Sequence, residues 1–140
     1  MKQVLFDTNI ILDIALQREP FFETSAQIFS KIDEGEIKGF LTASSITDIY
    51  FISKKASGRE KTIAFIRELI DILEVISVTK NTIINALNTE FKDFEDAVQY
   101  CVADMNCMDV IVTRNKSDFK HSTIAVHTPD ELLIFLTKPA

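Results

Sequence analysis

Short dense apolar runs alternate along the chain with longer segments whose apolar residues recur at helical spacing. Residues 3–6 form a compact apolar stretch ending at Asp7, the pattern of a short buried strand. Residues 9–17 place apolar side chains at 10, 11, 14 and 15, which predicts a helix, and Pro20 stops it. A second helix is predicted over 22–34, with Ala26, Ile28, Phe29 and Ile32 facing inward. Gly35 and Gly39 bracket a predicted turn before a strand at 40–43. Ser44 and Ser45 then cap a helix to about residue 56, which Ser57-Gly58 ends. Residues 60–73 form an amphipathic helix with Ile63, Phe65, Ile66, Leu69, Ile70 and Leu73 apolar. Strands follow at 74–78, 109–113 and 124–126, separated by helices over 80–89 and 94–106. Pro129 stands in the first turn of a last short helix.

Strands that alternate with helices cannot be joined by hairpins, so they pair in parallel. The chain therefore reads as one α/β domain over residues 1–140. Its architecture is three-layer α/β/α, around a mainly parallel sheet of four to five strands. No repeat, linker or low-complexity segment interrupts it.

Composition narrows the function. A length of 140 residues supports a full core, and 46% hydrophobic with 26% charged residues is ordinary for a soluble globule. The net charge of −6 excludes a broadly basic surface that coats nucleic acid. It leaves room for a nuclease whose positive charge comes from metal ions. Cys101 and Cys107 lie six apart in one helical pattern, point to different faces, and read as two buried apolar thiols. The first residues lack the length of a secretory signal, and no stretch is apolar enough to span a bilayer. The expected compartment is the reducing cytoplasm.

Candidate chemistry rests on four acids far apart in sequence: Asp7, Asp48, Asp96 and Asp118. Asp7 and the Thr113–Asp118 loop each follow a predicted strand, and in open α/β sheets ligands bind beyond the carboxyl ends of strands. Carboxylates that meet there cannot all stay ionised without a cation. Each acid also has a plainer reading. Asp7, Thr8 and Asn9 are all good N-caps, and Asp96 lies three after Asp93, a capping spacing. Asp48 lies three after Ser45, and Asp118 could fix a turn. Asp93, Glu95 and Glu90 read as a solvated rim, and Asp13 as peripheral. His121 and His127 lack a third ligand at metal-site spacing. No Gly-rich phosphate loop and no nucleophile elbow are present. Lys54, Lys55, Arg59 and Lys61 cluster around Gly58, as a phosphate contact or as a solvated face.

Asp7-Thr8-Asn9, Phe94-Glu95-Asp96-Ala97 and Thr113-Arg114-Asn115-Lys116-Ser117-Asp118-Phe119, in that order, resemble a PIN domain over essentially the whole chain. The resemblance implies a Mg²⁺- or Mn²⁺-dependent ribonuclease, in bacteria and archaea often a toxin with a small antitoxin, and often a homodimer. It implies metal ligation by Asp7, Asp96 and Asp118, with Asp48 as a further catalytic acid. Asn9, Thr113 and Asn115 would position the substrate phosphate or a water. Most members carry Glu in the helix after the second strand, where this chain has Asp48. That shorter side chain could reach the metal directly, act through water, or serve only as a cap. A catalytically weak or inactive PIN-like module that binds RNA or protein is the alternative. A phosphoacceptor receiver is a poor fit, because the third strand ends in Ser77-Val78-Thr79 with no Asp.

Overall fold

The computed structural model describes residues 1–137. Five strands, β1 (Lys2–Phe6), β2 (Ile37–Thr42), β3 (Glu74–Ile76), β4 (Val110–Val112) and β5 (Ala125–His127), form one sheet. Its order is β3-β2-β1-β4-β5, and every pairing is parallel. Seven α-helices are described: α1 (Thr8–Ala15), α2 (Phe22–Asp33), α3 (Ala43–Ser57), α4 (Arg59–Ile72), α5 (Lys80–Leu87), α6 (Phe94–Met105) and α7 (Pro129–Thr137). A 3₁₀ turn spans Lys116–Phe119.

Strand alternation separates the two faces of the sheet. Val4, Phe6, Leu41, Val110 and Val112 pack with Ile10, Ile28, Ile49, Leu69 and Leu132 from α1, α2, α3, α4 and α7. Leu5, Phe40 and Ile111 point the other way, onto Ala103 of α6 and onto Phe119. Ala86 of α5 joins α6 in a cluster with Ala97, Val98, Cys101 and Val102. The sheet is thus covered on both sides, as parallel sheets require.

Several boundaries differ from the sequence reading. β2 begins at Ile37, so Gly39 lies inside a strand and does not bracket a turn. A Cβ at Gly39 would sit 2.8 Å from Ile32 Cδ1 and 2.9 Å from Phe6 Cε2, and would also meet Leu73. Glycine is there because the core leaves no room for a side chain. α3 begins at Ala43, and its cap is Thr42, whose Oγ1 accepts the Ser45 N–H at 3.2 Å. Asp48 therefore lies inside the helix and caps nothing. Cys107 is exposed and lies beyond the end of α6 with φ +55°, so only Cys101 is a buried thiol. Gly58, at φ +86°, closes α3 and opens α4, a conformation that suits glycine. Among the described residues no helix is long and apolar enough to cross a membrane.

Candidate active site

The strand order reverses direction at β1. The chain leaves β1 toward β2 and β3 on one side, while β4 and β5 stack on the other. The crevice at the carboxyl ends of β1 and β4 is therefore a topological switch point, where open α/β sheets bind ligands. Asp7 follows β1 and Thr113 follows β4. The Asp7 N–H donates to Val112 O at 3.0 Å, and the Thr113 N–H to His127 O at 3.0 Å, so both junctions are tied into the sheet.

A pocket of about 350 Å³ opens at this point, lined by Asp7, Thr8, Asn9, Leu12, Asp48, Ile52, Asp93, Glu95, Asp96 and Asp118. All four acids singled out from the sequence meet here. Asp7 is 6% exposed, and the Thr113 hydroxyl donates to its Oδ2 at 2.8 Å. Asn9 reaches the pocket from α1, and Asp48 with Ile52 from one face of α3. Asp93 caps α6 by accepting the Asp96 N–H at 3.0 Å, as the capping spacing predicts, which leaves the Asp96 carboxylate facing the pocket. Asp118 comes from the 3₁₀ turn. Thr113 is fully buried, and its hydroxyl also accepts the Asn115 N–H at 3.2 Å. It acts on the site by holding Asp7. Asn115 is exposed and does not line the pocket.

Hydroxyl groups brace the walls. Thr8 Oγ1 and Ser45 Oγ are 2.7 Å apart, and Ser45 Oγ lies 3.0 Å from Thr42 Oγ1, which pins the start of α1 to the start of α3. Thr8 also donates to Glu95 Oε1 at 3.1 Å, and the Gln99 amide reaches Thr8 Oγ1 at 3.4 Å, which ties in α6.

The electrostatics follow from crowding of like charge. Burial raises the Asp7 carboxyl above its usual range. Hydrogen bonds from Thr113 and Gln99 offset part of that, and the Asp118 charge adds to it. Asp96 is pushed up to about 7 by burial, then by the charges of Asp7, Asp93, Asp118 and Glu95. Glu95 is also pushed up to about 7, by burial and by the neighbouring Asp48.

Six of the ten lining residues are acidic and none is basic. The donors are all oxygen, with no thiol and no imidazole, which suits Mg²⁺ or Mn²⁺ over zinc. Among the described residues no group of three or more His, Cys, Asp or Glu could hold a metal ion as the side chains stand. A divalent cation would relieve the repulsion that raises Asp96 and Glu95.

Three acids have places that the sequence reading missed: Asp93 and Glu95, which line the pocket, and Asp13. Glu95 is exposed, as a solvated rim requires, yet it also lines the pocket and accepts a hydrogen bond from Thr8. One turn further along the same face of α6 is Gln99, fully buried, whose amide reaches Glu95 Oε1 at 3.5 Å. Asp13 is fully buried, not peripheral. Arg114 Nε lies 2.9 Å from its Oδ2, and Arg18 Nη1 lies 3.7 Å from Oδ1. Burial raises the Asp13 carboxyl, and the two arginines oppose this. Arg114 also stacks over Phe21, 4.0 Å from the ring centroid.

With this fold and site, the chain belongs to the PIN domain family, whose sequence profile matches residues 3–117. It is similar to Ribonuclease VapC1 of Aquifex aeolicus strain VF5, at 28% identity over 135 residues that cover 93% of this chain and 92% of the relative. Its fold resembles VapBC2 from Rickettsia felis bound to a promoter DNA fragment. There the TM-score is 0.69 at 14% identity, covering 90% of this chain and 98% of that one. It also resembles a toxin–antitoxin complex from Klebsiella pneumoniae, with TM-score 0.68 at 22% identity, covering 90% of this chain and 97% of that one.

Proposed function

We propose that this PIN domain is a divalent-metal-dependent endoribonuclease and the toxin of a toxin–antitoxin pair, with RNA as substrate and a small antitoxin as partner. The observation that carries the reading is the pocket at the switch point, with six carboxylates and no basic side chain. Ribonuclease VapC1 supports the reaction, and the Klebsiella toxin–antitoxin complex supports the partner.

Asp7, Asp96 and Asp118 would hold Mg²⁺ or Mn²⁺, with Asp48 and Glu95 at the edge of the site. The ion would supply a more acidic water and neutralise charge developing on the phosphate. Thr113 fixes the Asp7 carboxylate through its hydrogen bond, which keeps one oxygen oriented before any ligand arrives. Asn9 lies at the wall of the pocket, where its amide can orient a phosphate oxygen. Glu95, titrating near neutrality, can accept or return a proton at Oε2 while Oε1 stays bonded to Thr8. Burial first, and then the charge of Asp48, favours the protonated form of Glu95.

The test is cleavage of a panel of single-stranded and stem-loop RNAs with Mg²⁺, Mn²⁺ or chelator. Wild type is expected to cut only with metal, and Asp96→Asn to lose at least about a hundredfold in rate, as for removal of a group that stabilises transition-state charge. Metal-independent cleavage, or wild-type rates in the variant, would overturn the reading. No cleavage of any RNA at millimolar Mn²⁺ would favour the binding-module alternative.

A further inference from the structure

A groove leaves the acidic pocket between the start of α6 and the 3₁₀ turn. The pocket shares Asp93, Asp96 and Asp118 with a second cavity of about 220 Å³, completed by Phe91, Lys92, Ser117, Lys120 and His121. That cavity shares Phe91 and His121 with a third of about 300 Å³, which Tyr100 helps to close. The three are neighbours that meet at these shared walls.

Lys92 and Lys120 join Asp93, Asp96 and Asp118 in the second cavity, and in the third the rings of Phe91 and Tyr100 stand with Glu90, whose Oε2 lies 3.8 Å from His121 Nδ1. Lys92 and Lys120 are exposed, and among the described residues neither pairs with a carboxylate. They are cations set beside a strongly negative site in a chain of net charge −6. Phe91 stacks on Tyr100, with centroids 4.9 Å apart and planes at 22°, and meets the edge of Phe119 at 5.8 Å. The His121 ring is tilted beside it at 6.2 Å. The Tyr100 hydroxyl bonds Thr123 Oγ1 at 2.9 Å, so the platform is braced from below. Packing accounts for the inner face of Phe91, which touches the core. It does not account for the side of Phe91 that lines two cavities next to unpaired lysines.

We propose that this groove is the subsite for the nucleotide adjoining the scissile phosphate. Lys92 and Lys120 meet its backbone phosphate, and Phe91 with His121 stacks on its base. Backbone cations joined to aromatic faces are how single strands are held without base readout. The proposal rests on the ribonuclease reading above and deepens it.

The test measures binding apart from cleavage. Asp96→Asn protein with Mg²⁺ is titrated with a fluorescein-labelled 12-nucleotide single-stranded RNA, followed by anisotropy across salt concentrations. Adding Lys92→Ala and Lys120→Ala is expected to weaken binding roughly tenfold and to flatten the log–log salt slope by about 1.4, two single-strand contacts. Adding Lys54→Ala and Lys55→Ala instead, the same charge change at the end of α3, is expected to have a smaller effect. His121→Ala, and Phe91→Leu checked for an unchanged melting curve, are expected to lose about five- to a hundredfold in affinity. They should also release the quenching of 2-aminopurine placed beside the cleaved bond. An unchanged slope and unchanged quenching overturn the subsite. So does an equal loss in the Lys54/Lys55 control, which would indicate charge without a site. If wild type cuts RNA while the subsite variants bind and cut normally, only the subsite falls. If wild type neither cuts nor binds RNA, the ribonuclease reading falls with it.

Discussion

Replacing Asp96 by Asn should stabilise the metal-free protein while abolishing its chemistry. Asn keeps the shape and the backbone N–H that Asp93 caps, and removes only the charge. In the fold the Asp96 carboxyl moves from its ordinary 3.8 to about 7, chiefly through burial and the charges of Asp7 and Asp93. Between those values the folded chain holds a proton that the unfolded chain has released. Wild-type stability therefore falls as pH rises through the window and levels off above pH 7. At 1.36 kcal/mol per pH unit the bound is about 4 kcal/mol. Asp96 is only half buried, so solvent screening reduces this to about 1–2 kcal/mol. For a chain of this length that corresponds to about 3–7 °C in Tm. Thermal melts in chelator should show Asp96→Asn more stable at pH 8, with most of the advantage gone by pH 4.5. Millimolar Mg²⁺ or Mn²⁺ should then raise the wild-type Tm by mass action, and raise the variant's less. A variant no more stable than wild type at pH 8 would refute the reasoning, as would an advantage that does not shrink toward pH 4.5.

Three further outcomes follow from the packing. Thr113→Val removes the donor to buried Asp7 and should cost about 1.5–3 kcal/mol by urea denaturation, more at pH 8 than at pH 5 because the Asp7 carboxyl rises further; equal loss at both pH values would show that the hydroxyl does not serve the carboxylate. Arg114→Ala strands Asp13 with only the longer Arg18 contact and should cost about 2–4 kcal/mol, read from the shift in denaturant midpoint. Replacement of Asp13 by Asn in the same background should recover part of that loss. Gly39→Ala forces a methyl group against Phe6, Ile32 and Leu73 and should cost about 1–3 kcal/mol in thermal melts, whereas Gly35→Ala, with open space around it, should show only backbone strain.

The sequence carried the layer order of the fold because periodicity reports burial. Val4-Leu5-Phe6 and Val110-Ile111-Val112 are buried on both faces, and such runs are unmistakable. Boundaries were less legible where packing overrode local signals. Gly39 looks like a turn residue and is a strand residue squeezed by three core side chains. Ser44 and Ser45 look like caps, yet Thr42 does the capping. Asp7 was visible because it follows β1 directly, and Asp118 because its loop leaves the end of β4 at Thr113. Glu95 was hidden because an acid in a first helical turn is ordinarily a solvated dipole partner. Only its hydrogen bond to Thr8, 87 residues away, distinguishes it. Asp13 and Arg114 were hidden for the same reason, since an ion pair across distant elements leaves no local spacing.

The hydrogen bond from Thr113 to Asp7 closes a loop of 106 residues. On a ribosome, that interval takes roughly 5–20 s to synthesise. During it the first carboxylate already exists, but the hydroxyl that aims it, and Asp118 beyond, do not. A chain that stops short of Thr113 thus lacks both the donor that holds Asp7 and the Asp118 carboxylate, and its pocket is incomplete.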